Sequence, residues 1–153
     1  FDRGPADSLR MAMGGSWSVY WYNGAIVSSE IARGLDVMEL TPSAFVSQNE
    51  IDAAKTVHWD YLNAQGQPKI VWPPSFALAR AYVDQLERNK CLSASRIASV
   101  RQALSTAEKG SGGARNTALS TLSSQLAGEA SSSCDGGRVQ KLSQAVKDLA
   151  VTS

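Results

Sequence analysis

Residues 17–40, WSVYWYNGAIVSSEIARGLDVMEL, constrain the fold more than any other stretch of the chain. Apolar and polar residues alternate here, which predicts short strands, and Asn23-Gly24 is typical of a two-residue hairpin turn because both residues tolerate positive φ. A second turn is predicted at residues 32–34. Bulky apolar groups fall on both faces, so this three-stranded meander needs cover on both sides and shielding of its two edges. The strands are predicted at residues 16–22, 25–31 and 35–40.

The segment after the meander is predicted to hold a short helix. Ser47 and Glu50 have capping-box spacing, in which the hydroxyl accepts from a backbone N–H and the carboxylate reaches back, and the helix is expected to end near Lys55. Thr41-Pro42 is also typical of a helix entry, because proline is tolerated at the first helical position. Residues 56–62 are predicted to form either another short strand or an extended strap.

Four helical patterns follow a Pro- and Gly-rich linker at residues 63–74. Each pattern has one narrow apolar stripe and a polar opposite face, which is typical of a bundle with short antiparallel connections. A Gly-rich break at residues 110–113 separates the second helix from the third, and Asp135 is expected to cap the fourth. The predicted stripes are Ala79, Tyr82, Val83 and Leu86; Ile97, Val100, Leu104 and Ala107; Leu119, Leu122 and Leu126; and Val139, Leu142, Val146 and Leu149.

The predicted fold class is therefore α+β, with a small antiparallel β-meander followed by an antiparallel four-helix bundle. Three regions are expected along the chain. Residues 1–62 hold the meander and its short helix, residues 63–74 form the linker, and residues 75–153 form the bundle.

The only two cysteines, Cys91 and Cys134, lie at two helix junctions of this bundle. If the four helices alternate in direction, the two junctions fall at the same end, which favours a disulfide between them. Such a bridge would contribute on the order of 4 kcal/mol in the chain-entropy model and would indicate an oxidising compartment. The alternative is a pair of free buried thiols. A metal site is not expected, because two distant cysteines without a nearby histidine lack the usual ligand spacing.

Composition excludes some partners. The chain of 153 residues has 15 basic and 14 acidic residues and a net charge of +1, with no cluster of Lys or Arg. Nucleic acid is therefore not an expected partner, because it would require a basic face. The longest apolar runs are much shorter than the ~18 residues that span a bilayer, so the protein is not expected to cross a membrane.

No catalytic residue and no cofactor are predicted. His58 is the only histidine, and with Asp60 it could form a general-base pair, although a structural hydrogen-bonded pair is the more common role. No serine stands in a G-x-S-x-G motif, and the glycine-rich break lacks the lysine of a phosphate-binding loop. Glu30 and Asp36 are carboxylates near the meander turns, and Arg33 is expected to pair with one of them.

Aromatic side chains of the first strand, together with Arg33, form a candidate binding surface for sugars or peptides. The alternative is that these rings form the sheet core, since aromatic residues are enriched in strands for packing reasons. Two further tryptophans near the linker, Trp59 and Trp72, are expected to clamp the strap onto the sheet or the bundle. The candidate surface consists of Trp17, Tyr20, Trp21, Tyr22 and Arg33.

Three strings, FDRGP at residues 1–5, WSVYWYNG at 17–24 and SEIARGLDV at 29–37, resemble the C-terminal end of the LVIVD-repeat family. The resemblance continues through LTPS at 40–43 to about residue 55, and the helical tail resembles the C-terminal extension of the family in its helix pattern. It implies an exported bacterial protein with tandem repeats of about forty residues that form a β-propeller. The present chain holds the strands of one repeat only.

Two main functions are compatible with these observations. The first is a non-catalytic structural or protein-interaction module, the C-terminal part of an exported repeat protein, whose partner is another protein or the remaining propeller blades. The second is a fragment of a propeller enzyme or carbohydrate-binding protein whose site lies mostly in other blades. A further alternative is an accessory subunit of a larger complex. The expected location is secreted, periplasmic or on the cell surface.

Overall fold

The computed structural model describes residues 4–152, and within them a three-stranded antiparallel sheet is followed by five α-helices. The fold class is α+β, as predicted. The strands are β1 (Ser16–Tyr22), β2 (Ala25–Glu30) and β3 (Gly34–Met38), in the spatial order β1-β2-β3. The predicted meander is therefore confirmed, although β2 and β3 end earlier than the predicted residues 31 and 40.

The first hairpin turn has the predicted chemistry. Asn23 and Gly24 have φ values of 47° and 88°, both in the left-handed region, and they connect the cross-strand pair Tyr22 and Ala25. Gly24 is needed for a second reason, since a Cβ there would lie 2.9 Å from Cγ of Lys55. The turn is thus packed against the end of the helix that follows the sheet.

Helix α1 (Gln48–Lys55) begins at the predicted capping box. Ser47 Oγ accepts a hydrogen bond from the Glu50 N–H at 3.2 Å, and the Glu50 carboxylate accepts one from the Ser47 N–H at 2.7 Å. The predicted helix entry at Thr41-Pro42 is wrong. The Ser43 hydroxyl instead accepts from the N–H groups of residues 45 and 46 and stabilises a local turn there.

Residues 56–62 form no strand, so the extended strap is the correct one of the two expectations. The strap leads into a single 3₁₀ turn at Ala64–Gly66 and then an irregular segment up to Ser75. The predicted linker at residues 63–74 is thus almost free of regular structure.

Four longer helices follow: α2 (Phe76–Arg88), α3 (Ala94–Lys109), α4 (Gly112–Glu129) and α5 (Gly136–Val151). Ser75, Ser93 and Asp135 cap α2, α3 and α5 by accepting a backbone N–H with the side chain. Helix α4 starts inside the predicted Gly-rich break, because Gly112 has a φ of 65° and directs the chain into the helix.

These four helices surround one hydrophobic core. Each helix contacts the next one along the chain, and α5 returns to contact α2. Every residue of the four predicted stripes except the half-buried Tyr82 is buried in this core. Helix α1 lies outside this ring and packs against α2, where Ala53 meets Leu78 and Ala81.

Ion pairs join neighbouring helices at the rim of the core. Arg88 of α2 makes a two-pronged contact with Glu50 of α1, with both N–O distances at 2.9 Å. Arg101 of α3 reaches Asp84 and Glu87 of α2. Further pairs join Arg80 of α2 to Glu108 of α3 and Arg96 of α3 to Glu129 of α4. These contacts add polar interactions between α1 and α2, between α2 and α3, and between α3 and α4.

Two buried serines add a polar contact between α4 and α5. The Ser123 hydroxyl donates to the Ser143 carbonyl at 2.9 Å, and the Ser143 hydroxyl donates to the Ser123 carbonyl at 2.8 Å. Both residues are less than a tenth exposed. Each buried hydroxyl is therefore satisfied by the facing helix, and the two reciprocal bonds favour this alignment of α4 and α5.

The cysteine prediction is confirmed. Cys91 follows α2, and Cys134 lies between α4 and α5; their Cα atoms are 4.9 Å apart and their sulfurs are bonded. The Ser133 hydroxyl also donates to the Cys91 carbonyl at 2.9 Å. The bridge therefore joins the two helix junctions at one end of the core.

We expect the Arg88 contact to make α1 sensitive to acid. The Arg88 guanidinium, with hydrogen bonds from Ser47 and Gln85, lowers the pKa of Glu50 from 4.5 to about 2. Because the folded-state pKa is depressed, this stabilisation is present above pH 4.5 and is lost as the pH falls towards 2. Glu50→Gln should reduce the free energy of unfolding by about 1 kcal/mol at pH 7, after solvent screening.

Urea unfolding of the wild type and of Glu50→Gln at a series of pH values measures this difference. Other carboxylates titrate equally in both proteins, so the difference between the two curves isolates Glu50. We expect the difference to shrink as the pH falls from 4.5 to 2. A gap that stays constant over this range would contradict the assignment.

The disulfide should stabilise the helical core measurably. Reduction, or the Cys134→Ser substitution, is expected to lower the melting temperature by several degrees or more, following the ~4 kcal/mol of the chain-entropy model. Thermal unfolding followed by circular dichroism measures the shift. Reductant should have no further effect on Cys134→Ser. Two titratable thiols in the unreduced, denatured wild type would show that the bridge is not formed.

Candidate interaction surface

The sheet exposes large apolar side chains that a folded domain usually covers. Trp17 is 77% exposed, Leu35 64% and Val37 66%. By contrast, the largest fully buried side chains of the described chain all belong to the helical core. The sheet is therefore attached to the helices without having a core of its own, and its surface is the first candidate for contacts with other molecules.

One side of the sheet, here called face A, carries the more exposed apolar row. Tyr20, Val27 and Val37 are cross-strand neighbours on the three strands. Leu35 lies two residues before Val37, on the same side of β3. The end of the strap and the 3₁₀ turn after it, residues 60–65, lie beside this row and leave a cleft of about 510 Å³ against Tyr20, Tyr22 and Val27. Face A thus combines a flat apolar strip with a partly covered aromatic cleft. It consists of Ser18, Tyr20, Tyr22, Ala25, Val27, Ser29, Leu35 and Val37.

The opposite side, face B, is more polar and partly covered by the N-terminal segment. Residues 4–15 lie over this face and enclose a cavity of about 610 Å³, whose charged lining includes Arg33, Glu30 and Asp36. The segment itself is exposed throughout. Face B consists of Val19, Trp21, Ile26, Ser28, Glu30, Asp36 and Met38.

Glu30 and Arg33 hold the N-terminal segment against the second hairpin turn. The Glu30 carboxylate accepts hydrogen bonds from the N–H groups of Gly15 (2.6 Å) and Ala32 (3.1 Å). The Gly15 bond is the main reason that the pKa of Glu30 is lowered, and the charge of Arg33 adds to it. The Arg33 guanidinium donates its hydrogen bonds to the carbonyls of Gly4 and Pro5. The predicted pairing of Arg33 with Glu30 is thus electrostatic, whereas its hydrogen bonds go to the backbone.

Trp59 joins the strap to the first hairpin. The Asn23 side chain accepts from the Trp59 N–H at 2.8 Å and donates to the Trp59 carbonyl at 3.0 Å. The Tyr22 hydroxyl donates to the same carbonyl at 2.8 Å. The Trp21 ring meets the Trp59 ring edge-on, with centroids 6.1 Å apart. The predicted clamping role of Trp59 is confirmed by these contacts.

The outer edges of β1 and β3 carry no backbone hydrogen bond to another segment within residues 4–152. The two edges differ in shape. Near its start, β1 has a bulge at Trp17, since Ser16 pairs with Glu30 whereas Ser18 pairs with Ser29. Strand β3 pairs regularly with β2 along its whole length. The edge of β3 is therefore the flatter of the two.

His58 and Asp60 do not form the general-base pair in the described part of the chain. His58 is exposed, and no hydrogen bond joins it to Asp60 among residues 4–152. No group of three His, Cys, Asp or Glu side chains in the same residues could hold a metal ion. Among these residues, no helix has the length and apolar character needed to cross a membrane.

The residues of the predicted binding surface are distributed over both sides of the sheet. Tyr20 and Tyr22 lie on face A, and Trp21 lies on face B against Trp59. Trp17 projects from the bulge, and Arg33 holds the N-terminal segment. The structure therefore brings Tyr20 and Tyr22 together at the cleft and separates the other three from them.

Sequence reasoning missed the exposed pair Leu35 and Val37 of β3 and the contact between Asn23 and Trp59. The alternation in β3 does place Leu35 and Val37 on one face, but alternation alone does not say whether that face is covered. Nothing in the sequence indicated the contact between Asn23 and Trp59, because the hairpin turn already accounts for an Asn-Gly pair at this position.

Comparisons of the chain with models of protein families, with curated proteins and with solved structures found no match. The resemblance to the LVIVD-repeat family therefore stays a prediction based on the quoted strings.

We expect Asn23→Gly to release the strap while keeping the turn, because glycine tolerates positive φ but lacks both hydrogen-bonding groups. Hydrogen exchange at the Trp59 amide, which donates to Asn23, should become faster, and exchange in α3 to α5 should not change. The substitution Ser120→Gly on the exposed side of α4 is a control that introduces glycine away from the sheet. Unchanged exchange at the strap in Asn23→Gly would show that the side chain does not hold Trp59 in place.

Proposed function

We propose that this protein is a non-catalytic structural and protein-interaction module whose sheet docks onto another protein surface. The proposal rests on one observation above all. Face A carries Tyr20, Leu35 and Val37 exposed to solvent, beside a strand edge with no partner among residues 4–152. A contiguous apolar strip next to an open edge is typical of a surface that is covered in the working assembly.

Covering this strip is energetically favourable. Burial of apolar surface contributes roughly 25 cal/mol per Å², and pairing of the strand edge satisfies backbone groups that otherwise depend on water. The helical core does not need this contribution, since its large side chains are already buried. Docking through the sheet thus stabilises the sheet, which is the part of the isolated chain that buries the least apolar surface.

The expected setting is an oxidising compartment. The bridge between Cys91 and Cys134 favours a secreted, periplasmic or cell-surface protein, since disulfides persist under oxidising conditions. The LVIVD-like strings support the same location and suggest what covers the sheet: preceding repeats of an exported protein or a separate partner protein. Docking as an accessory subunit of a larger complex is a variant of this proposal.

The second candidate function is that of a fragment of a propeller enzyme or carbohydrate-binding protein. It is favoured by the cavity of about 610 Å³ on face B. The charged side chains that line this cavity include Arg33, Glu30 and Asp36. It requires the rest of the site to come from other blades, because Glu30 and Arg33 are already bonded to backbone groups of the N-terminal segment and the second turn.

Site-specific photo-crosslinking tests the proposed function. A benzophenone side chain at position 37 of the natural protein in its own cells should crosslink to protein, either a partner or another part of the same polypeptide. The same group at Ser120, on the exposed side of α4, should crosslink much less. Mass spectrometry identifies the attached segment.

Equal crosslinking from both positions, or none from position 37, would contradict docking through face A. Crosslinks from position 33 to a glycan, with none from position 37 to protein, would favour the carbohydrate-binding alternative.

A further inference from the structure

Asn23-Gly24 is the only Asn-Gly pair in the chain, and this dipeptide is chemically labile. The backbone nitrogen of the residue after an asparagine can attack the side-chain carbonyl carbon, and glycine hinders this attack least because it has no Cβ. The sequence therefore favours loss of the side-chain amide at position 23. The other asparagines all precede a residue that carries a side chain: Asn49, Asn63, Asn89 and Asn116.

The reaction at this pair consumes only water. The Gly24 nitrogen gives its proton to solvent and bonds to Cγ of Asn23, while the bond from Cγ to Nδ2 breaks and ammonia leaves with a proton taken from solvent. The five-membered succinimide that forms then takes up water. Cleavage of its bond between Cγ and the Gly24 nitrogen gives aspartate, whereas cleavage of the bond between the backbone carbonyl carbon and that nitrogen gives isoaspartate.

The fold holds the reacting amide at both of its ends. Oδ1 of Asn23 accepts from the Trp59 N–H at 2.8 Å, and Nδ2 donates to the Trp59 carbonyl at 3.0 Å. The other partner of the reaction, Gly24, lies against the side chain of Lys55. A side chain that is bonded at both ends to the strap does not turn freely, so the strap has to open before Cγ approaches the Gly24 nitrogen.

Neither product restores the closed strap. Aspartate at position 23 lacks the donor for the Trp59 carbonyl, and it places a negative charge beside that oxygen. Isoaspartate lengthens the backbone of a two-residue turn whose geometry depends on its length. The end of the strap also forms one side of the cleft on face A. Conversion therefore loosens the strap and opens this cleft without any change in the helical core.

We propose that Asn23 is a site of spontaneous deamidation that the strap controls. The closed strap protects the amide, each opening of the strap exposes it, and conversion leaves the strap open. This inference goes beyond the docking function and does not depend on it, because it concerns a covalent change within the chain.

Long incubation of the whole protein at physiological temperature and mildly alkaline pH tests the role of the strap. Tyr22→Phe removes the hydroxyl that donates to the Trp59 carbonyl and leaves the Asn-Gly pair intact. Because loss of one hydrogen bond raises the fraction of open strap, conversion at position 23 should become roughly two- to tenfold faster. Liquid chromatography and mass spectrometry of a proteolytic digest separate the asparagine, aspartate and isoaspartate forms.

Two control variants separate opening of the strap from other effects. Tyr20→Phe removes a hydroxyl on the same face of β1 that makes no hydrogen bond to the strap among residues 4–152. Ser123→Ala weakens the contact between α4 and α5, far from the turn in the chain. Both should convert at the wild-type rate. Rates in denaturant correct for any direct effect of the side chain at position 22.

Three results would overturn control by the strap. The first is an equal rate for folded Tyr22→Phe and the folded wild type. The second is an equal acceleration by Ser123→Ala, which would place the reaction in the globally unfolded chain. The third is conversion in denaturant with none in any folded variant.

The effect of conversion on the strap is measured separately. Asn23→Asp reproduces the aspartate product, and hydrogen exchange at the Trp59 amide should be several-fold faster than in the wild type. Asn63→Asp makes the same change in the segment after the strap, where the side chain only accepts a hydrogen bond, and should leave exchange at Trp59 unchanged. If Asn23→Asp does not fold, wild-type protein converted in place and separated by ion exchange is measured instead. Exchange at Trp59 that equals the wild-type value would show that conversion does not open the strap, and would overturn that part of the proposal.

Discussion

The rest of the structure depends on burial of the apolar stripes of α2 to α5 in one shared core. Leu86, Leu104, Leu126 and Val146 are fully buried there, and α1 is added to this core through its contact with α2. Burial of this kind is non-directional, so it holds the helices together without deciding their order. The ion pairs between helices and the reciprocal serine bonds of α4 and α5 add directional contacts to it.

Much of the helical part could be predicted because its signals are local or follow from connectivity. A stripe with helical period appears directly in the sequence, as do caps such as Ser47 and Asp135. The Cys91–Cys134 bridge followed from helix order. The pairing of Ser123 with Ser143 could not be predicted, because it depends on how two helices approach each other in space.

The sheet could be predicted less completely than the helices. Its strands and its first turn were predicted from alternation and from Asn23-Gly24, but alternation does not identify the covered face. The bulge at Trp17 interrupts the alternation of β1, and nothing in the sequence indicates it. Both faces of the meander were expected to need cover, but Val37 is exposed because the sheet has little core to bury it.

Asn23 makes two hydrogen bonds to the Trp59 backbone, and these restrict which residues can replace it. The turn alone accepts any residue that tolerates positive φ, and glycine or aspartate would satisfy it. Asn23, however, supplies both an acceptor for the Trp59 N–H and a donor for the Trp59 carbonyl, which also accepts from the Tyr22 hydroxyl. Aspartate lacks the donor, and glycine lacks both groups. In related chains that keep this strap, variation at position 23 should therefore be much more restricted than at other hairpin turns.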